Sequence, residues 1–213
     1  MAQYDGSSNT RMYPVRSPFG SIQIRYFQES TAVSSKLITE GDIVCFDTVV
    51  STHLRLVVAP SSQGNAANLL QNGIRSLVGV ALGTSTSDGS GTGLGESTTV
   101  GPNATRMIPV AVADGLTEFA ISISSVGLTP LQACSSMIGN VYPIECLRSA
   151  VGQRGGHGVW FLSSTNVSTA ADLSFVVTDV PDHQVGSTGG VVYGKFLSTM
   201  VSPAVRIGGP SVT

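Results

Sequence analysis

Three histidines, several aspartates and many serines are the residues of this chain that could support acid–base, nucleophilic or metal-assisted chemistry. His53, His157 and His183 are far apart in the sequence, and none stands in an HxH, HExxH or HxxxH spacing that places two imidazoles on one metal ion. The serines lack the GxSxG pattern of a nucleophile elbow. The aspartates flank predicted strands and turns, where Asp commonly hydrogen-bonds the backbone. The sequence therefore predicts no catalytic residue, no metal site and no enzyme.

A glycine-rich stretch at residues 83–105, GTSTSDGSGTGLGESTTVGPNAT, is the other feature that could bind a ligand, because glycine-rich loops cradle phosphate groups. A dinucleotide fingerprint needs G-x-G-x-x-G between a strand and a helix, and a P-loop needs Gly-Lys-Ser/Thr. Here the glycine spacing differs, no lysine follows, and the next residues have the pattern of a loop and then a strand. We therefore predict a mobile surface loop and expect no cofactor.

The composition of the chain predicts a surface that is polar but weakly charged. Charged residues make up 11% of the chain and hydrophobic residues 41%, whereas about 25% charged is typical. The net charge is -2 and Lys and Arg form no cluster, so nucleic acid is not expected as a partner. No apolar run reaches membrane-spanning length, and the first residues lack the apolar core of a signal peptide. We expect no membrane association.

The three cysteines, Cys45, Cys134 and Cys146, lie in apolar or mixed stretches without a CxxC spacing. An odd number leaves at least one thiol unpaired. Because free cysteines are among the most buried residue types, all three are predicted to be buried free thiols.

Short β-branched and aromatic runs, separated by Gly, Ser, Thr, Asn or Pro clusters, predict an all-β fold. SIQIRYF places Ile22, Ile24 and Tyr26 on one face of a strand. RMIPVAV and TEFAISI flank the step Asp114-Gly115, which is a strong hairpin signal. Further strands are predicted at GDIVCFD, HLRLVVAP, SLVGVALG, GVWFL, DLSFVVTDV and GVVYGKFL.

The order of these runs repeats along the chain. Gly79 in LVGVALGT coincides with Gly194 in VYGKFLST, and similar strands precede each phrase in the same order. This predicts a diverged duplication of a small β unit; the alternative is that any all-β chain contains such short coincidences. Both glycines are predicted where a strand bends or another backbone comes close. The alternation around Gly194 places Phe196 in the core and Lys195 toward solvent.

Three segments are predicted. Residues 1–20 form an extended N-terminal arm with too little alternation to pack as a strand alone. Residues 21–124 form a first β unit that carries the glycine-rich loop, and residues 125–213 form a second. Each unit is expected to be a small β-barrel or sandwich-like structure.

The strand phrases also carry a family resemblance. LITEGDIVCFD, then SLVGVALGT, then MIPVAVADGLTEFAI resembles the layout of capsid decoration (cement) proteins of tailed bacteriophages. STAADLSFVVTDVP and GGVVYGKFLSTMVSPAV are similar to C-terminal segments of structural proteins from phages that infect aquatic bacteria. The resemblance covers most of residues 20–206, and its motifs are short and hydrophobic. The glycine-rich insertion and the second unit depart from the smallest family members, so their trimer geometry does not transfer in detail.

The resemblance implies a structural virion protein, made in the host cytoplasm, that binds the major capsid protein on the outside of an icosahedral capsid. It also implies a homo-oligomer, most simply a trimer. Rigid β units, few charges and apolar edges that complete their pairing on a neighbour suit such a role. The candidate capsid contacts are four residues of the arm: Arg11, Tyr13, Arg16 and Phe19.

Two other functions compete with this one. A phage fibre, knob or other glycan-binding attachment module would use exposed aromatic rings, and Trp160, Tyr142 and Tyr193 are the available platforms. Aromatic residues are only 6% of the chain, and Trp160 in GVWFL is predicted to lie in the core instead. A β-rich hydrolase is the third reading, but no residue set assigns an acid, a base and a nucleophile.

Overall fold

The structure is a computed structural model that describes the strand-forming parts of the chain. The described residues are 12–18, 20–28, 38–46, 56–58, 77–83, 107–124, 132–147, 159–163, 174–181, 184–186, 190–197, 201–202 and 205. Within them the chain forms β-strands and a 3-10 turn and no α-helix, so the predicted all-β class is confirmed.

The strands follow the predicted apolar runs closely. In chain order they are β1 (Tyr13–Arg16), β2 (Ile24–Gln28), β3 (Ile43–Phe46), β4 (Leu56–Val58), β5 (Leu77–Ala81), β6 (Met107–Val112), β7 (Glu118–Ser124), β8 (Val141–Leu147), β9 (Val159–Ser163), β10 (Ser174–Asp179) and β11 (Val191–Phe196). The 3-10 turn, Ser135–Met137, lies between β7 and β8.

Five of these strands close into a barrel. The order is β7-β11-β10-β8-β9, and β9 pairs back with β7. This closing pair is parallel, whereas the other pairs in the barrel are antiparallel. Phe196 packs edge-to-face against Phe119 and Phe175 in the interior, with ring centroids 5.2 and 5.6 Å apart. Closure pairs the five strands around the ring and leaves only the first half of one β7 edge, which β1 covers.

The remaining strands, apart from β1, form a second sheet in the order β2-β6-β5-β3-β4, with every pair antiparallel. β3 and β5 are buried along their whole length. This burial explains why the sequence of each strand is a continuous apolar run and does not alternate between apolar and polar residues. β2 lies at one end of the sheet order. The barrel and this sheet contribute to one cluster of buried apolar side chains.

The predicted hairpin at Asp114-Gly115 is wrong, because β6 belongs to the second sheet and β7 to the barrel. The turn itself is present: Gly115 has a φ of 83°. The Asp114 carboxylate accepts hydrogen bonds from the backbone N–H groups of Leu116 and Thr117 at 2.8 and 2.7 Å. These bonds form an Asp-centred turn that directs the chain from one sheet into the other. β7, which ends the segment predicted as the first unit, therefore pairs with strands of the second.

Gly79 and Gly194 both stand where another backbone comes close, as predicted. A Cβ at Gly79 would lie 2.0 Å from the carbonyl oxygen of Ala111, and a Cβ at Gly194 would lie 2.1 Å from that of Val176. Phe196 is buried and Lys195 is half-buried, in agreement with the predicted alternation.

The strand pairing around these two glycines does not repeat. β3 pairs with both β4 and β5, whereas β9, which corresponds to β3 in the predicted duplication, pairs with neither β10 nor β11. The likeness between the two phrases is therefore local. It reflects the same requirement for close backbone approach in two differently connected sheets.

Candidate interaction surface

β1 adds to a barrel that is already closed without it. Tyr13 lies opposite Ala120 and Arg16 opposite Glu118, with an irregularity in register between Pro14 and Arg16. β11 occupies one edge of β7, so β1 and β9 share the other edge: β1 takes the first half and β9 the second. The strand from the predicted arm therefore docks onto the barrel as a sixth member.

Charged groups hold β1 at its C-terminal end. The Arg16 Nε donates to the Glu118 carboxylate, and its Nη2 donates to Asp179 Oδ2 at 3.2 Å. Lys195 Nζ lies 3.8 Å from the other Glu118 oxygen. The hydrogen bond that Arg16 donates to Glu118 raises the pKa of Arg16 from its ordinary value; burial opposes this shift, and the negative charges of Glu118 and Asp179 add to it. Arg16 thus connects β1 to both β7 and β10.

Aromatic groups complete this surface. Tyr13 on β1 and Tyr193 on β11 are both paired in register with Ala120 on β7, because β1 and β11 lie on the two sides of that strand. The Arg16 guanidinium lies 6.0 Å from the centroid of the Tyr193 ring, within range of a cation–π interaction. We call the residues of the barrel that face β1 the β1 site; they are Glu118, Ala120, Asp179 and Tyr193.

Met12 anchors the other end of β1. Its side chain is buried, and its backbone N–H donates to the Gly41 carbonyl at 3.4 Å, just before β3 of the second sheet. Burial of one methionine side chain contributes about 2 kcal/mol. The Arg16 side chain is 53% exposed, and exposed ion pairs contribute about 0 to 1 kcal/mol. Burial of Met12 is therefore the larger part of the attachment.

The structure places two of the four predicted capsid contacts together on this surface. Tyr13 is half-buried and Arg16 is exposed; Arg11 and Phe19 lie outside the described residues. Sequence reasoning missed Glu118 and Asp179, the partners of Arg16. The alternation of TEFAISI shows that Glu118 points away from the core, but sequence gives no sign of which cation it meets. The role of these residues in capsid binding stays a prediction.

A second surface lies on the edge strand β2. Two of the three residues predicted on one face, Ile24 and Tyr26, point outward and are 48% and 62% exposed. The third, Ile22, precedes β2 and packs against the core instead. Met107 on β6, opposite Gln28 and on the same face, is 49% exposed. Phe27 faces inward instead and packs edge-to-face on Phe46, with ring centroids 5.5 Å apart. We call Ile24, Tyr26 and Met107 the β2 face.

The predicted glycan platforms do not form one site. Trp160 is buried, as its core assignment predicts, and Tyr142 and Tyr193 are half-buried. Tyr142 packs against the shared core, whereas Tyr193 belongs to the β1 site. No stacking surface built from all three rings exists in this arrangement.

The cysteine prediction is partly wrong. Cys45 is a buried free thiol, but Cys134 is exposed, with its Sγ 3.0 Å from the Ser136 hydroxyl. Cys134 directly precedes the 3-10 turn, where the chain leaves the sheet and only Met137 of the turn points into the core. The side chain of Cys146 lies outside the described part of the structure.

Within the described residues, His, Cys, Asp and Glu form no group of three or more that could hold a metal ion. In the same part of the chain, no helix is long and apolar enough to cross a membrane. Comparisons with protein-family models, with curated proteins and with solved structures find no match for this chain. The β1 site and the β2 face are therefore the two features from which function can be inferred.

Proposed function

We propose that this protein is a structural virion component that binds the outer surface of an icosahedral capsid and stabilises the shell by contact. In this proposal the major capsid protein is the partner, and copies of the chain form a cyclic homo-oligomer, a trimer in the family that the sequence resembles. The single observation that supports it best is the β2 face, an exposed apolar surface on a strand at the edge of a sheet.

Two properties of β2 favour contact with another protein. Exposed clusters of large apolar side chains on soluble proteins mark interaction surfaces, and Tyr is enriched at the centres of such surfaces. Among the described residues, β2 has one strand partner, β6, and the most exposed side chains of β2, Ile24 and Tyr26, carry no charge. The outer face of β2 thus offers large apolar side chains at one end of the described sheet order.

The direct test is binding to shells of the encoding virus that have been assembled without this protein. Wild-type protein should bind them to saturation and raise the temperature at which they disrupt. Tyr26→Ser and Ile24→Ser should each weaken binding at least about tenfold, as expected for anchors at the centre of an interface. Both variants should keep the fold, because neither side chain belongs to the core.

Val185→Ser is the matched control. Val185 is also an exposed apolar residue, 51% exposed, but it lies in the segment between β10 and β11 and forms an isolated bridge with Ala133. Its substitution should leave shell binding unchanged. Equal losses for Val185→Ser and Tyr26→Ser would count against the β2 face, and no binding by the wild type would reject the proposed function.

A further inference from the structure

We propose that the β1 site also binds β1 of a second copy of this chain, so that neighbouring copies exchange their N-terminal strands. The inference extends the homo-oligomer of the proposed function, because it names the contact between copies, and it holds whatever surface the assembled protein binds.

The first observation is topological. Because β7-β11-β10-β8-β9 closes without β1, the departure of β1 leaves every strand pair of the barrel intact. It uncovers the first half of one edge of β7, over residues 118–120, and the core position that Met12 fills. An uncovered strand edge is a template for an incoming extended segment, which adds by main-chain pairing.

The second observation is that, beyond the buried Met12, β1 is held by few contacts. It has three residue pairs with β7, interrupted by a register irregularity, and Pro14 has no N–H to donate. The ion pairs of Arg16 are made by a side chain that is 53% exposed. Exposed and short pairings open locally at low free energy, well before the whole protein unfolds.

The third observation is the connection to β2. Residues 17–23 link the two strands, and the backbone N–H of Gly20 donates to the Ser17 carbonyl at 3.1 Å, with Gly20 at a φ of 77°. Opening this one turn would extend the link, which reaches at most about 25 Å. β1 could then lie on an adjacent copy while β2 stays in its own sheet.

The side chains of the β1 site determine which segment can bind there. Glu118 and Asp179 receive one guanidinium, and Tyr193 lies beside it. The occupant must therefore be extended and carry an arginine at a fixed position, which β1 of a second copy supplies with identical contacts. Exchange of an identical element is a common route from monomers to oligomers, and the local concentration of copies decides whether the contact forms within or between chains.

The test uses cysteine pairs in the full chain, with exposed Cys134 replaced by Ser. One tagged chain carries Arg16→Cys and a differently tagged chain carries Glu118→Cys; the two positions lie directly opposite. After mixing and mild oxidation, a disulfide between the two tags should appear and should increase with protein concentration. Its formation requires Cα atoms within about 7 Å.

Lys195→Cys replaces Glu118→Cys in the matched control. Lys195 lies on β11, one strand further from β1, so it is about 10 Å from position 16 across two strand spacings. It should give only background crosslinking with Arg16→Cys. A single chain that carries both Arg16→Cys and Glu118→Cys should close an internal disulfide when dilute, which establishes that the pairing geometry is correct.

A second measurement avoids variants of the protein. A labelled peptide of residues 11–18, RMYPVRSP, should bind the wild-type full chain saturably, and the same peptide with Arg16→Glu should lose that binding. The proposal is overturned if the two tagged chains crosslink no more than the Lys195→Cys control, if the internal disulfide does not form, or if the wild-type peptide does not bind. None of these results depends on capsid shells, so the proposed function and this inference fail separately.

Discussion

The Trp160 indole N–H donates to the Asp42 carboxylate at 2.8 Å, and this buried hydrogen bond joins the barrel to the second sheet. Trp160 lies on β9, and Asp42 directly precedes β3. The other carboxylate oxygen accepts from the backbone N–H and the hydroxyl of Thr39, at 2.8 and 2.9 Å. A buried carboxylate must be surrounded by donors, and here Trp160 supplies one donor from the barrel and Thr39 supplies two from the segment before β3.

Asp42→Ala should lower the free energy of unfolding by about 2 to 4 kcal/mol, because it leaves the buried donors of Trp160 and Thr39 without an acceptor. Chemical denaturation followed by circular dichroism measures the change. Trp160→Phe should cost about 1 to 3 kcal/mol, and the double variant should cost less than the sum, because the two residues share one bond. Simple additivity of the two losses would show that the bond does not couple the layers.

Gly194→Ala should cost several kcal/mol. The added Cβ would meet the Val176 carbonyl oxygen at 2.1 Å and the Phe175 ring at 2.4 Å, and neither can move away without disturbing the pairing of β10 and β11. Gly186→Ala is the control: its Cβ would meet open space, but its φ of 80° is unfavourable for Ala, so it should cost about 1 kcal/mol. Similar denaturation midpoints for the two variants would contradict the steric argument.

Sequence patterns located the strands well because strand formation follows local apolar character. They failed at Asp114-Gly115, where the turn chemistry was correctly identified but the pairing partner of β7 was not. Which strand pairs with β7 is decided by the closure of the barrel, through residues 39 to 75 positions further along the chain. The same limit explains the predicted duplication: Gly79 and Gly194 were correctly placed at close approaches, yet their sheets are connected differently.

The surfaces were less predictable than the fold. The alternation of SIQIRYF identified the face of Ile24 and Tyr26, but alternation does not say which face of a strand meets the core when both faces carry aromatic residues. Arg16 was identified as a contact residue from its position in the arm. Its partners Glu118 and Asp179 lie more than one hundred residues away, and no local pattern links them.

Cys134 should react with a thiol reagent in the native protein, whereas Cys45 should react only on unfolding. Cys134 is exposed and Cys45 is buried in β3, and reagents reach a buried thiol only through opening of the surrounding structure. Mass spectrometry of peptides after a short native labelling pulse distinguishes the two. Cys134→Ser should remove the fast label, and fast labelling of Cys45 would show that the second sheet opens more readily than its burial implies.

Added salt should weaken the attachment of β1 to the barrel. A change of pH should not weaken it through titration of Arg16. The pKa of Arg16 is raised from an ordinary value that is already strongly basic, so Arg16 stays charged and its stabilising interaction is lost through its own titration only in strong alkali. Its charge is therefore constant from about pH 6 to 9. An exposed ion pair is screened as ionic strength increases. Amide exchange of Val15 and Arg16 should accordingly become faster in about 0.5 M salt.

Arg16→Gln should speed exchange of the β1 amides roughly two- to five-fold, which corresponds to the loss of about 0.5 to 1 kcal/mol from an exposed ion pair. In the variant, added salt should have little further effect, because the charge that it screens is gone. Arg25→Gln on β2 is the matched control, since it removes the same charge from the other sheet and should leave β1 unchanged. Hydrogen exchange with peptide-level mass spectrometry measures the exchange rate of the β1 amides in the wild type, Arg16→Gln and Arg25→Gln. If Arg16→Gln left exchange of β1 at the wild-type rate at low salt, burial of Met12 alone would hold the strand, and the contacts of Arg16 with Glu118 and Asp179 would contribute nothing to its attachment.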